Sequence, residues 1–178
     1  VYIAKSLGLD EIADYWYQVI LINNHQRNRF AKNIIKTLYG TINGKSIAFL
    51  GWSFKKDTND TRESAAIYVA DKLIEEYAQI KVYDPKVNFN QVKTDLNYLN
   101  TRSAEENEEH IKMEKNPYKA IEGAHAIAVI TEWDEFKSLD WHKAYKLMNK
   151  PAFIFDGRNL LDSKKLKEIG FVYRGIGI

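Results

Sequence analysis

Residues 46–64 read SIAFLGWSFKKDTNDTRES, and this stretch decides the fold. Ser46 to Leu50 is a short apolar run with the length and composition of a buried strand. Gly51 breaks it, and Lys55, Lys56 and Arg62 make the following loop basic. Asp60-Thr61-Arg62-Glu63 then fits a capping box that opens a helix near Thr61. Strand, loop and helix in this order are how α/β folds hold phosphate, because the free N–H groups of the helix N-terminus point at the strand end. The pattern implies an anionic ligand, with a nucleotide the leading candidate.

Downstream the alternation continues. The helix from Thr61 is expected to run to about Tyr77, followed by a strand at Ile80 to Tyr83 and a turn at Asp84-Pro85. Ala124 to Ile130 and Ala152 to Phe155 read as further buried strands, and Phe171 to Ile176 as a last one. Pro117 to Ile121, Trp133 to Met148 (in two pieces) and Lys164 to Ile169 carry helical patterns. Residues 88–116 resist assignment; their charge run, Glu105 to Glu109, reads as a solvated loop or helix face. Apolar strands separated by helices predict a parallel sheet covered on both sides, a Rossmann-like doubly wound α/β domain preceded by a long α-helix.

That helix is expected from Asp10, as N-cap, to Leu38, with Tyr39-Gly40 as its stop. Its middle, Tyr15 to Ile22, is apolar nearly all round, so one face should pack on this domain and the other on a further domain or subunit. The division expected is 1–44 as a helical region and 45–178 as the Rossmann-like domain. Val1 is not a methionine, and Val1 to Leu9 resembles the end of a helix, so the reading expects protein upstream.

Composition narrows the function. The chain has 178 residues, no cysteine and a formal charge of +2. Disulfides, thiolate metal sites and a cysteine nucleophile are excluded within it. The charge is too small and too dispersed to argue for nucleic acid. No run of about 18 apolar residues is present, and a cytoplasmic address is the default expectation.

Ligands of doubly wound sheets sit at the carboxyl ends of the strands, so three loops draw attention: Phe54-Lys55-Lys56, Thr131-Glu132-Trp133-Asp134 and Asp156-Gly157-Arg158. An arginine and a lysine would converge there, with Phe54 and Trp133 as flat faces for a base. Arg158 reads equally as a surface turn, and Lys56 as a solvated side chain. Asp60 and Glu63 read as helix caps rather than metal ligands, since no histidine partners Asp57 or Asp60. Asp84 is first a turn residue and only second a ribose-binding carboxylate. His125, inside an apolar strand, reads as a satisfied core residue. No G-x-G-x-x-G is present. From the residues alone this is a nucleotide- or phosphate-binding module in which no catalytic group declares itself.

Gly51 to Ser64 closely resembles the GxxFKxxTxDxRES signature of the UDP-glucose 6-dehydrogenase family. The likeness continues through Val82-Tyr83-Asp84-Pro85-Lys86-Val87, Gly123 to Ala126, Thr131 to Phe136 and Lys150 to Arg158. It covers nearly the whole chain in order. The resemblance implies an enzyme that oxidises UDP-glucose to UDP-glucuronate with NAD, through a covalent intermediate on a cysteine that lies before Val1. It implies that this chain is the C-terminal UDP-binding domain with part of a central dimerisation helix, partnered by an N-terminal NAD-binding domain and a second copy through residues 10–38. Residue by residue, Phe54, Lys55 and Arg158 match substrate-contacting positions, and Arg62 matches the arginine that reaches the NAD. No catalytic residue and no metal site is carried over, so this piece alone should turn over nothing. Dehydrogenases for UDP-N-acetylmannosamine or GDP-mannose share much of the signature, and a non-catalytic dimeric nucleotide-binding module is the reading from another class.

Overall fold

A computed structural model describes residues 1–177. After a short helix α1 (Tyr2–Ser6), Gly8 turns the chain into α2 (Asp10–Thr37). The elements that follow are β1 (Ser46–Leu50), α3 (Ala65–Glu75), β2 (Gln79–Tyr83), α4 (Phe89–Tyr98), α5 (Ala104–His110), β3 (Ile111–Met113) and α6 (Pro117–Ile121). Then come β4 (Ala126–Val129), a 3-10 turn (Asp134–Ser138), α7 (Trp141–Leu147), β5 (Phe153–Asp156), α8 (Ser163–Ile169) and β6 (Val172–Gly175).

The six strands form one sheet in the order β3-β2-β1-β4-β5-β6. Every pairing is parallel. The order reverses between β1 and β4, which fixes the switch point of a doubly wound fold there. Alternate residues of each strand serve opposite faces. Ile47, Phe49, Ala126, Ala128, Phe153 and Phe155 join α2, α3 and α4 in one core. Ala48, Leu50, Ile127, Val129 and Ile154 join α6, α7 and α8 in the other. A sheet buried on both faces requires continuous apolar runs, and these strands have them.

Four expectations change. The helix after β1 begins at Ala65, not Thr61: Glu63 has a left-handed φ of +58°, which ends any helix there, and Ser64 is the N-cap, its Oγ accepting from Ala66 N–H. Asp10 is the first residue of α2 rather than its cap, which is Leu9. Residues 88–116 supply two helices and the edge strand β3, with Glu106 in a true capping box with Ser103. Finally, neither face of 15–22 packs on this domain. Tyr15, Trp16, Tyr17, Val19, Ile20, Leu21 and Ile22 are all exposed, and α2 meets the core further on, through Ala31 and Ile34 with Phe30, Ile35 and the C-cap Leu38 packed beside them. Tyr39 and Gly40, both at positive φ, stop it as read. No helix among the described residues is long and apolar enough to cross a membrane.

Candidate functional site

The loop after β1 is held by carboxylates that lie outside it. Asp84, at the end of β2 and 4% exposed, accepts on Oδ2 from Trp52 N–H (2.7 Å), Ser53 N–H (3.0 Å), Ser53 Oγ–H (3.2 Å) and the Trp133 indole N–H (3.1 Å). Its Oδ1 accepts from Lys86 and Val87 N–H, which makes the Asp84-Pro85 turn. Asp95 on α4 takes the Trp52 indole N–H at 2.9 Å and the Thr61 hydroxyl at 3.0 Å. Between them these two carboxylates take the backbone N–H groups of Trp52 and Ser53, the hydroxyls of Ser53 and Thr61, and the indole N–H groups of Trp52 and Trp133.

Gly51 brings the β1 and β4 loops together. With φ +97° it has a conformation L residues rarely adopt, and a Cβ there would lie 2.4 Å from Thr131 Cβ. Thr131 Oγ–H in turn donates to Ser53 O at 2.7 Å. Gly157 does the same for β5: a Cβ would sit 2.9 Å from Val129 O and 3.5 Å from Phe30 Cζ, so α2 can lie close over the strand end. Asp156, fully buried, accepts from Arg158 N–H, Leu161 N–H and the Tyr173 hydroxyl, which aims the Arg158 side chain. Burial, then the Asp156 charge, pushes the Tyr173 phenol up, so it remains a donor.

Arg158 is the junction. Its Nε donates to Ile130 O at 2.6 Å and lies 3.1 Å from Glu132 Oε2, and its Nη2 donates to Phe54 O at 3.1 Å. One guanidinium thus touches the loops after β1 and β4 from the loop after β5. It lines a cleft of about 320 Å³ with Phe54, Arg27, Phe30, Ala65 and Ile130. Phe54 is 47% exposed there, a free aromatic face beside a cation at the first turn of α3. A planar ring, an arginine fork and a helix N-terminus together suit a base joined to a phosphate.

The other expected residues are placed differently. Lys55 is exposed and outside the cleft lining. Lys56 pairs with Asp134 at 2.6 Å on the surface; that hydrogen bond raises the Lys56 amine, while Lys56 and then Lys137 lower the Asp134 carboxyl to about 2. The cations lining the cleft are therefore Arg158 and Arg27, with no lysine beside them, and Glu63 lines it too, 3.2 Å from Arg27. Arg62, its side chain 88% exposed, holds Asp60 through two bonds, Nε–Oδ1 at 2.9 Å and Nη2–Oδ2 at 2.7 Å. The Arg62 hydrogen bonds lower the Asp60 carboxyl to about 2. Asp60 and Glu63 cap no helix; Glu63 accepts instead from Arg27 and the Tyr68 hydroxyl. Trp133 is 6% exposed with its N–H on Asp84, so it belongs to the scaffold and offers no face to a base. His125 is half-buried at the start of β4, its Nδ1 accepting from Ser46 N–H, rather than deep in the core. No group of three or more His, Cys, Asp or Glu side chains among the described residues could hold a metal ion.

Arg27 was the missed residue. Its guanidinium lies 4.1 Å from the centre of the Tyr68 ring and donates to Glu63 O at 2.7 Å. The signal was available, since Arg27 stands three residues before Phe30 on the buried stripe of α2 that continues through Ile34 and Leu38. A larger hollow of about 810 Å³, lined by Arg29, Lys36 and Arg174, lies between α2 and the edge strand β6. It is away from the switch point, where doubly wound folds bind their ligands.

Residues 48–163 match the model of the UDP-glucose/GDP-mannose dehydrogenase family, UDP binding domain. The chain is 51% identical over 177 residues to UDP-glucose 6-dehydrogenase of Caenorhabditis elegans, covering 99% of this chain and 36% of that protein. It is 44% identical to UDP-glucose 6-dehydrogenase 1 of Arabidopsis thaliana, covering 99% of this chain and 39% of that one. The chain thus spans little more than a third of the length of these relatives. Among solved structures, a UDP-D-ManNAc dehydrogenase from Pyrococcus horikoshii matches at 27% identity and a TM-score of 0.62, over 86% of this chain and 30% of that one. In fold, it is also similar to a UDP-glucose dehydrogenase from Pyrobaculum islandicum, at 23% identity and a TM-score of 0.69 over 98% of this chain and 34% of that one.

Proposed function

The chain belongs to the UDP-glucose/GDP-mannose dehydrogenase family, and from that premise we propose that it is the UDP-binding part of an NAD-dependent UDP-glucose 6-dehydrogenase. The observation that carries this reading is the convergence of Phe54 and Arg158 beside the cleft at the switch point, with the guanidinium on Phe54 O at 3.1 Å. In this reading the cleft receives the UDP part of UDP-glucose. Arg158 binds the diphosphate, Phe54 packs on the uridine or sugar, and Lys55 reaches the ligand from the loop edge. Lys55 itself lies outside the cleft lining.

Catalysis in this reading needs groups outside the chain. NAD, held by a separate N-terminal domain, would take up the hydrides released as the sugar alcohol is oxidised to the acid. The residue here with the freedom to reach it is Arg62, whose exposed guanidinium is tied only to Asp60 on its own turn among the described residues. Residues 1–44 form the helical region in this account and 45–178 the UDP-binding domain. The exposed apolar band of α2 is its contact with a second copy.

Calorimetry tests the site. UDP should bind the chain, and Arg158→Ala should weaken it about 30-fold, the cost of removing a charge-assisted hydrogen-bond donor. Equal heats for the parent, Phe54→Ala, Lys55→Ala and Arg158→Ala would remove these residues from the site. The chain alone should form no NADH from UDP-glucose and NAD; turnover would contradict the division of labour. Assays of the longer protein against several nucleotide sugars decide the sugar.

A further inference from the structure

We propose that Asp84 is a positioning residue for the nucleotide, acting through Ser53 and Phe54 on Arg158. The inference rests on the reading that the switch-point cleft receives the UDP part.

In dinucleotide-binding α/β domains the acidic residue at the end of the second strand faces the ligand and takes a ribose hydroxyl. Asp84 directly follows β2, yet it is buried and bonded inward to Trp52, Ser53 and Trp133. Its Oδ2 gathers four donors, three from Trp52 and Ser53 after β1 and one from Trp133 after β4. The two loops that flank the switch point are therefore tied to one oxygen atom. From Ser53 the linkage runs one residue to Phe54, whose carbonyl accepts from Arg158 Nη2. Ser53 O is held independently by Thr131 Oγ–H. Neither Phe54 nor Arg158 touches Asp84, but the backbone that presents the ring and orients the fork is fixed by it.

Four donors on one buried oxygen exceed what turn formation requires, because Lys86 and Val87 N–H already make the turn on Oδ1. The excess is directed entirely at the two loops of the cleft. A purely structural anchor would stabilise the fold uniformly. A positioning group instead couples energetically to the ligand contact it orients.

The test is a double-mutant cycle read by UDP calorimetry on the chain, with circular dichroism and thermal melting of each variant. Trp133→Phe removes one donor from Asp84 and keeps most of the ring volume. Arg158→Lys keeps the charge and removes the fork. Trp133→Phe should weaken UDP about tenfold in the Arg158 parent and change it less than twofold in the Arg158→Lys background. Asp84→Asn should weaken UDP further; if it fails to fold, the Trp133→Phe cycle still decides. A folded Trp133→Phe that binds UDP like the parent overturns the inference, as does an equal loss in both backgrounds, which marks a structural role. A parent chain that binds no UDP sinks the reading of the cleft itself, an outcome distinct from either.

Discussion

Gly51→Ala probes the packing that builds the cleft. The new methyl would lie 2.4 Å from Thr131 Cβ, 2.5 Å from its Oγ1 and 2.7 Å from its backbone nitrogen, at a φ of +97°. Backbone on the far side cannot yield as a flexible side chain would. Overpacking of this kind costs about 1–3 kcal/mol, and the left-handed backbone adds about 1–2 kcal/mol. A combined loss of about 3 kcal/mol lowers the melting temperature of a chain this size by roughly 10 °C. The control is Gly44→Ala, where φ is +69° but nothing lies within 4 Å of the new Cβ. It bears only the backbone term and should melt roughly 3 °C below the parent. Gly51→Ala should also lose UDP affinity, because displacing Thr131 releases its bond to Ser53 O. The assay is calorimetric melting of parent and both variants at one pH. Equal melting temperatures for Gly51→Ala and Gly44→Ala would refute the close-approach reasoning.

Three further outcomes are expected. Burial, helped by the nearby Lys45 and Lys81 charges, pushes the His125 ring below its ordinary 6.5, and its Nδ1 accepts from Ser46 N–H, which also needs the neutral ring. As pH falls below 6.5 the unfolded chain takes the proton first, so stability present above that value is lost down through the folded-state value. Urea midpoints between about pH 7 and 5 should decline less for His125→Gln than for the parent, and parallel declines would acquit His125. Asp71→Ala should cost about 3 kcal/mol in urea unfolding, because Arg102, paired to Asp71 Oδ1 at 2.8 Å with side chains 14% and 9% exposed, would lose its counter-charge and keep only neutral partners, Asn107 Oδ1 and the backbone carbonyl of residue 71; a loss below about 1 kcal/mol would show the pair to be well solvated. If the apolar band of α2 is the proposed contact with a second copy, replacing Trp16 and Ile20, both exposed, by serine should leave the melting temperature within about 2 °C and lower the light-scattering mass; an unchanged mass would contradict that contact.

What the sequence discloses here follows the range of the forces involved. Runs such as Ile47 to Leu50 and Ala126 to Val129 carry burial on both faces in their own composition, so the strands and their parallel pairing are legible locally. β3 is three residues long and contains Lys112, with too little pattern to see. The helix start fails because Asp60 to Glu63 has the letters of a capping box, but Glu63 is left-handed and its carboxylate and carbonyl are both taken by Arg27, 36 residues away. Of the three strand-end loops singled out, two reach the cleft, through Phe54 and through Gly157 and Arg158, while Thr131 to Asp134 stay outside its lining. Which cations face it was not legible, since Lys56 is drawn off by Asp134 while Arg27 arrives from α2. Likewise Asp84 read correctly as a turn residue, but its donors from Trp52, Ser53 and Trp133 exist only once the sheet has closed.

The central claim is that the nucleotide lies at the switch point, against Arg158 and Phe54. A crystal structure of the chain with UDP tests it most directly. The account predicts diphosphate oxygens within hydrogen-bond reach of the Arg158 guanidinium and the uridine or its ribose against Phe54. Density for UDP in the hollow lined by Arg29, Lys36 and Arg174, with the switch-point cleft empty, would contradict it.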